Sequence, residues 1–95
     1  MTEPLESFTP EQSALLKSTA KKLLLCLHKS KKPMANSFLH GELGEILNRV
    51  INEDKVLPFA DIPYFELMTR DYFPEIETEY FNFYSVACFG ELAYK

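Results

Sequence analysis

Apolar residues near the start of the chain recur with the period of an amphipathic helix. Five of them fall within one arc of about 100° on a helical projection: Leu16, Ala20, Leu23, Leu24 and Leu27. Thr9, Pro10 and Gln12 form the signature of a helix start, with an N-cap, a proline in the first turn and a capping box. Pro33 requires the helix to end before it. We therefore predict a first helix from Pro10 to shortly before Pro33.

The same period continues after Pro33. The apolar residues that share one face there are Leu39, Leu43, Ile46, Leu47, Val50 and Ile51. This pattern predicts a second helix that starts near Asn36 or Ser37 and runs to about Asn52. Gly41 and Gly44 flank the apolar face, and each costs up to about 1 kcal/mol in helix propensity. Either a neighbouring element packs close to the backbone there, or the helix begins later.

A loop is predicted at residues 52–58, and the pattern beyond it is shorter and more aromatic. Asp61 and Pro63 are typical of an N-cap and a first helical turn. They predict a short helix to about Arg70 with Phe65 and Met68 facing inward. Pro74 ends this element, because the residue before a proline is pushed out of helical geometry.

The last segment, residues 74–93, allows two interpretations. Alternation over residues 75–80 suits a strand, whereas the apolar spacing beyond Ile76 is helical. About fifteen residues pass without a turn signal, which is long for a strand of the usual five or six residues. We predict a helix over 74–93 and an all-α fold, a compact bundle of about four helices. An α+β fold with a C-terminal β-hairpin is the alternative. Residues 1–8 are predicted to be a flexible tail, and residues 9–95 a single helical domain.

Charge is segregated between the two parts of the chain. Among the 95 residues, 10 are Lys or Arg and 14 are Asp or Glu, for a net charge of −4. Residues 1–36 carry six lysines against three glutamates, while residues 37–95 carry four basic residues against eleven acids. Two surfaces of opposite sign are a property of association rather than of catalysis.

No set of residues has the spacing of a catalytic or metal site. Cys26 and His28 are two positions apart, which on a helix directs them about 200° from each other. Carboxylates at helical spacing, such as Glu42 and Glu45, lie on faces that we predict to be solvated, without the desolvation that acid–base catalysis needs. Nucleophile elbows, phosphate-binding loops and dinucleotide fingerprints are not found. We predict no enzymatic activity, no cofactor and no metal.

The chain is expected to be cytoplasmic. Its N-terminus lacks the basic and apolar regions of a signal peptide. The longest apolar run, Leu23–Leu27, is far too short to span a membrane. Cys26 and Cys88 lie among apolar neighbours and are predicted to be reduced core residues. A disulfide between them is the less favoured alternative.

The last predicted helix carries the candidate protein-binding site. From about residue 86 it is apolar nearly all round, so Val86 and Phe89 need cover from the N-terminal tail or from another chain. The protein-binding residues that we predict are Tyr72, Phe73, Glu75, Glu79, Val86 and Phe89. They indicate a small acidic interaction module that binds a basic partner. Inhibitors, immunity-type proteins and regulatory adaptor proteins are modules of this kind. A homodimer through the same aromatic residues needs no outside partner.

The lysines of the first helix support an alternative function. Lys17, Lys21, Lys22 and Lys29 could track a phosphate backbone, as in a nucleic-acid-associated helical protein. This region contains neither an arginine for base contacts nor an interleaved aromatic for stacking. Nucleic acid is therefore the less favoured partner.

Overall fold

The computed structural model describes residues 7–53, 56–59, 62–70 and 74–93. Those ranges contain five helices: α1 (Pro10–Lys29), α2 (Pro33–His40), α3 (Glu42–Asn52), α4 (Phe65–Met68) and α5 (Pro74–Phe89). They contain no strand, so the all-α prediction is confirmed and the alternative of a C-terminal β-hairpin is wrong. Residues 1–6 of the predicted tail lie outside the described ranges. The Cα radius of gyration is 12.6 Å, close to the roughly 12 Å of a folded chain of this length.

The start of α1 has the local structure that its sequence predicts. The Thr9 side chain accepts from the backbone N–H of Gln12 at 3.1 Å, and the Gln12 side chain accepts from the N–H of Thr9 at 2.9 Å. This reciprocal capping box satisfies two N–H groups that a helix start leaves open. The helix ends at Lys29, before Pro33 as predicted.

The second predicted helix is two helices in the structure. α2 starts at Pro33, earlier than predicted, and an extended Gly41 separates it from α3. The chain turns so tightly there that the backbone of Leu39 rests on Gly44. A Cβ atom at Gly44 would lie 1.7 Å from the carbonyl oxygen of Leu39. The two glycines therefore allow a corner between two short helices, which the apolar period alone could not show.

The helices surround one core. α1 lies at its centre and packs against α5, α3 and α2, while α2 also packs against α3. Fully buried side chains come from every helix, among them Leu23, Phe38, Leu47, Met68 and Phe83. Burial of this many large apolar side chains is the main favourable term in folding.

The segment between α3 and α5 covers a second side of α5. This covering segment consists of residues 56–59 and 62–68 and includes α4. The backbone N–H of Phe59 donates to the carbonyl of Ala87 at 2.9 Å. The Tyr80 hydroxyl lies within hydrogen-bond distance of the carbonyls of Ile62, at 3.3 Å, and Pro63. An aromatic helix therefore packs against α1 on one side and the covering segment on another.

α5 ends at Phe89, four residues before the predicted boundary. Gly90 adopts a φ of 79°, the left-handed conformation with which glycine commonly ends a helix. Its N–H donates to the carbonyl of Val86 at 2.9 Å. This turn fixes Phe89 as the last helical side chain of α5.

Candidate interaction surfaces

Four aromatic rings from α4 and α5 contact one another in a row. Phe65 lies 5.7 Å from Phe81 and 4.7 Å from Tyr84, and Tyr84 lies 6.4 Å from Phe89, measured between ring centroids. Phe65 keeps 37% and Phe89 47% of its surface exposed, while Phe81 and Tyr84 are half-buried. These four residues form what we call the aromatic surface.

The position of Phe65 depends on the turn that precedes it. Tyr64 has a φ of 71°, a left-handed conformation that costs a residue with a side chain about 1–2 kcal/mol. Its ring packs on Phe38 of α2 at 4.4 Å, which offsets part of that cost. Together with the Tyr80 hydroxyl, this contact sets where α4 begins and so holds Phe65 against α5.

Carboxylates lie next to the aromatic surface in sequence and on the helices. Glu66 follows Phe65, and Glu77 precedes Phe81 by one helical turn. Glu91 follows the end of α5 and is exposed. Arg70, just after α4, is the basic residue close to them in sequence. Among the described residues, carboxylates therefore outnumber basic groups next to the aromatic surface in the sequence, and we call these charged residues its border.

The aromatic and aliphatic residues of the predicted site divide into three groups. Phe89 is exposed at the end of α5. Tyr72 and Phe73 lie outside the described residues. Val86 is fully buried within the chain and offers no surface to a partner. The Gln12 side chain donates to the Gly90 carbonyl at 3.4 Å, which places the start of α1 beside the last turn of α5.

The two predicted acidic residues of α5 lie beside α1. Glu75 pairs with Lys32 at 3.4 Å, and the Ser30 hydroxyl is 3.5 Å from the same carboxylate. The backbone N–H of Glu75, and secondarily Lys32 and Ser30, hold the pKa of this carboxyl below its ordinary value. Glu79 is half-buried, and its charge adds to burial in raising the pKa of the Cys26 thiol.

The lysines between residues 17 and 32 have different environments. The Lys17 ammonium donates to the carbonyls of Val50, at 2.7 Å, and Glu53 at the end of α3. A cation there satisfies open carbonyls and interacts favourably with the helix dipole. The Lys17 ammonium is therefore bound by groups of its own chain, and the Lys32 ammonium is likewise bound by Glu75.

The remaining lysines of α1 lie on its solvent side. We define the basic stripe as Lys21, Lys22, Leu25, His28 and Lys29, which are all exposed. Leu25, at its centre, keeps 53% of its surface exposed. Within the described ranges, no salt bridge involves a lysine of this stripe. The stripe thus contains three of the four lysines predicted to contact nucleic acid, but not Lys17.

Three members of the aromatic surface were not among the predicted site residues. Phe65 was expected to face inward; it packs on Phe81 and Tyr84 of α5 but keeps 37% of its surface exposed. Phe81 and Tyr84 belong to the aromatic run of α5, and the abundance of aromatic residues in that run was the available signal. Which of these rings reach the surface depends on how the covering segment packs, and no local pattern encodes that.

The described ranges also bear on metal binding and on membrane association. No group of three or more histidine, cysteine, aspartate or glutamate side chains there is placed to hold a metal ion. No helix in the described part of the chain is both long enough and apolar enough to cross a membrane. Cys26 and Cys88 are free thiols. Comparison of the chain with protein families, curated proteins and solved structures finds no match.

Proposed function

We propose that this chain is a small protein-interaction module whose aromatic surface binds a basic partner protein. The observation that carries the proposal is the row of ring contacts that leaves Phe65 and Phe89 exposed on a helical framework. Rigid aromatic side chains are enriched at the centres of protein interfaces, because they bury much area at low entropic cost. An inhibitor, immunity-type or regulatory adaptor protein would use such a surface.

The charge of the partner follows from the border of the surface. Among the charged residues next to the four rings in sequence or on the helices, Glu66, Glu77 and Glu91 outnumber Arg70. Complementary charge at an interface speeds encounter and rejects partners of the wrong sign. A basic surface with apolar side chains at its centre is therefore the complement that we expect. The free thiols support a cytoplasmic location, since reduced cysteines are typical of that compartment.

The proposal is tested by using the full chain as bait in an extract of its native host. Three baits are compared: the wild type, Phe89→Ala and Met34→Ala. Met34 of α2 is a matched control because its exposure, 48%, is close to the 47% of Phe89, and it lies outside the aromatic surface. We expect a basic protein to be retained by the wild type and by Met34→Ala, and lost with Phe89→Ala.

Binding measurements with the purified partner then give the size of the effect on affinity. Phe89→Ala should weaken its affinity by about tenfold or more, while the free energy of unfolding in urea changes by less than about 1 kcal/mol because Phe89 is half exposed. Equal binding by Phe89→Ala and wild type would refute the aromatic surface as the binding site. Unfolding of the variant would instead assign Phe89 to the core.

Nucleic-acid binding is the second candidate function, favoured by one observation. The Lys21, Lys22 and Lys29 side chains are exposed together on one side of α1. Against it, Lys17 is occupied at the end of α3, and Leu25 lies where a phosphate backbone would pass. Titration with a DNA duplex would decide: this function requires an affinity that falls steeply between about 50 and 200 mM salt.

A further inference from the structure

A groove along α3 has the opposite charge to the basic stripe. Glu42, Glu45 and Glu53 line it together with Arg49, which pairs with Glu53 at 3.6 Å. Three carboxylates against one guanidinium leave the groove with a net charge of −2. Both partners of that ion pair are more than half exposed. Glu42 and Glu45 therefore keep negative charge that no described cation neutralises by direct contact.

The floor of this groove is apolar. Ile46 of α3 lies in it half-buried, between the glutamates. Beyond Arg49 the groove continues onto residues 56–59, where Val56 and Phe59 are half-buried and Leu57 is exposed. We call this surface, from Glu42 to Phe59, the acidic groove. Its apolar floor and charged edges are typical of grooves that receive one face of an amphipathic helix.

We propose that the acidic groove of one copy of this chain receives the basic stripe of α1 from a second copy. The stripe is a helix face with three lysines around the exposed Leu25. Its lysines meet the glutamates at the groove edges, and Leu25 packs on the apolar floor. The contact differs from the aromatic surface of the proposed function and does not depend on it.

A second copy fits these observations better than a polyanion. Every molecule carries both halves of the complementary pair, so association needs no other component. A phosphate backbone would contact the lysines but would leave Leu25 without an apolar partner. A membrane surface would meet a chain of net charge −4, which opposes its approach to anionic lipid. The acidic groove supplies both the negative charge and an apolar contact.

The test is sedimentation equilibrium of the full-length protein up to about 1 mM. We expect reversible self-association in about 50 mM NaCl, with an association constant that falls about tenfold or more in about 300 mM NaCl because salt screens exposed charges. Lys21→Glu and Glu45→Lys should each lower that constant by about fivefold or more. Lys31→Glu and Glu66→Lys are the matched controls: each reverses an exposed charge outside the two surfaces and should change it by less than about twofold.

Mixing the two charge-reversed variants gives the most specific result. A groove that carries Glu45→Lys repels the normal stripe but attracts the stripe that carries Lys21→Glu. Association in the mixture that exceeds either variant alone would support the proposal. Circular dichroism of each variant verifies the fold, and Glu42→Lys, which reverses a charge in the same groove, replaces Glu45→Lys if the latter unfolds.

Three results would overturn the proposal. The first is a wild-type protein that stays monomeric up to about 1 mM in the low-salt buffer. The second is association that salt does not weaken and that Phe89→Ala abolishes, which would assign it to the aromatic surface. The third is a mixture of charge-reversed variants that associates no better than its components.

Discussion

The body formed by α1, α2 and α3 and the covering segment are held in different ways. In the body, backbones and apolar side chains approach closely along helices, as where Leu39 rests on Gly44. The covering segment contains only one helical turn, and a few groups hold it: the Phe59 amide, the Tyr80 hydroxyl and the ring of Phe65. Ile62 and Met68 of the covering segment are also buried in the core, so individual polar contacts add to apolar packing there, whereas the body depends on close packing along its helices.

The largest effect is expected where the body is tightest. In Gly44→Ala the new methyl group would lie 1.7 Å from the Leu39 oxygen and 2.6 Å from its carbonyl carbon. Because both atoms belong to the backbone, α2 and α3 must separate, and we expect a loss of about 3 kcal/mol or more in the free energy of unfolding. Urea denaturation measures this loss.

Gly41→Ala is the control for that variant. Its Cβ would lie 3.0 Å from the Ser37 carbonyl oxygen and from the Tyr64 hydroxyl, a milder conflict. We expect a smaller loss of stability than in Gly44→Ala. A Gly44→Ala protein as stable as the wild type would contradict the close packing of the corner.

The second-largest loss of stability is expected in the covering segment. Tyr80→Phe removes the hydroxyl that reaches the carbonyls of Ile62 and Pro63. Leaving buried carbonyls without a donor costs about 1–3 kcal/mol, and we expect about 1–2 kcal/mol because Pro63 is only half-buried. Hydrogen exchange should locate the change: the Phe59 amide becomes less protected, while amides within α1 keep their relative protection. Uniform loss of protection would show that the covering segment is not a separate unit.

The difference between the body and the covering segment explains how much of the fold could be predicted from the sequence. The caps, the apolar period and the end of α1 are local signals, and the structure confirms them. Gly41 and Gly44 indicated a close approach, although not the division into α2 and α3. The covering segment has no period of its own, so its path over α5 and the exposure of Phe65 follow from contacts between distant residues.

Prediction of the candidate site from the sequence has the same limit, because contacts between distant residues decide which side chains are exposed. The high proportion of aromatic residues in α5 was visible, but Val86 and Phe89 looked equivalent in the sequence because both fall on the outer side of a helical projection. The tertiary structure separates a buried Val86 from an exposed Phe89, at an end of α5 that both Gln12 of α1 and Phe59 of the covering segment contact. Lys17 and Lys21 were likewise indistinguishable, since the carbonyls that bind Lys17 are more than thirty residues away.

That pair of lysines gives the third prediction. Lys17→Met keeps the aliphatic packing but removes the cation from the end of α3, and we expect a loss of about 1 kcal/mol. Lys21→Met, on the solvent side of the same helix, should change stability by less than about 0.5 kcal/mol. Urea midpoints of the two variants provide the comparison. Equal effects would mean that the bonds to Val50 and Glu53 contribute nothing to the end of α3.

The smallest effect concerns the polar contact between the end of α1 and the start of α5. The Glu75 N–H, and secondarily Lys32 and Ser30, lower the pKa of the Glu75 carboxyl from its ordinary 4.5, and unfolding restores that value. The ionised group therefore stabilises the fold above its unfolded pKa, and this contribution is lost as the pH falls through the folded pKa. Wild-type stability should accordingly fall faster than that of Glu75→Gln between about pH 5 and about pH 3. With 42% of the side chain exposed, water screens the pair, so the difference should be smaller than that for Lys17→Met. Parallel curves from urea titrations across this range would show that the ionised Glu75 carboxylate contributes nothing to the contact between the end of α1 and the start of α5.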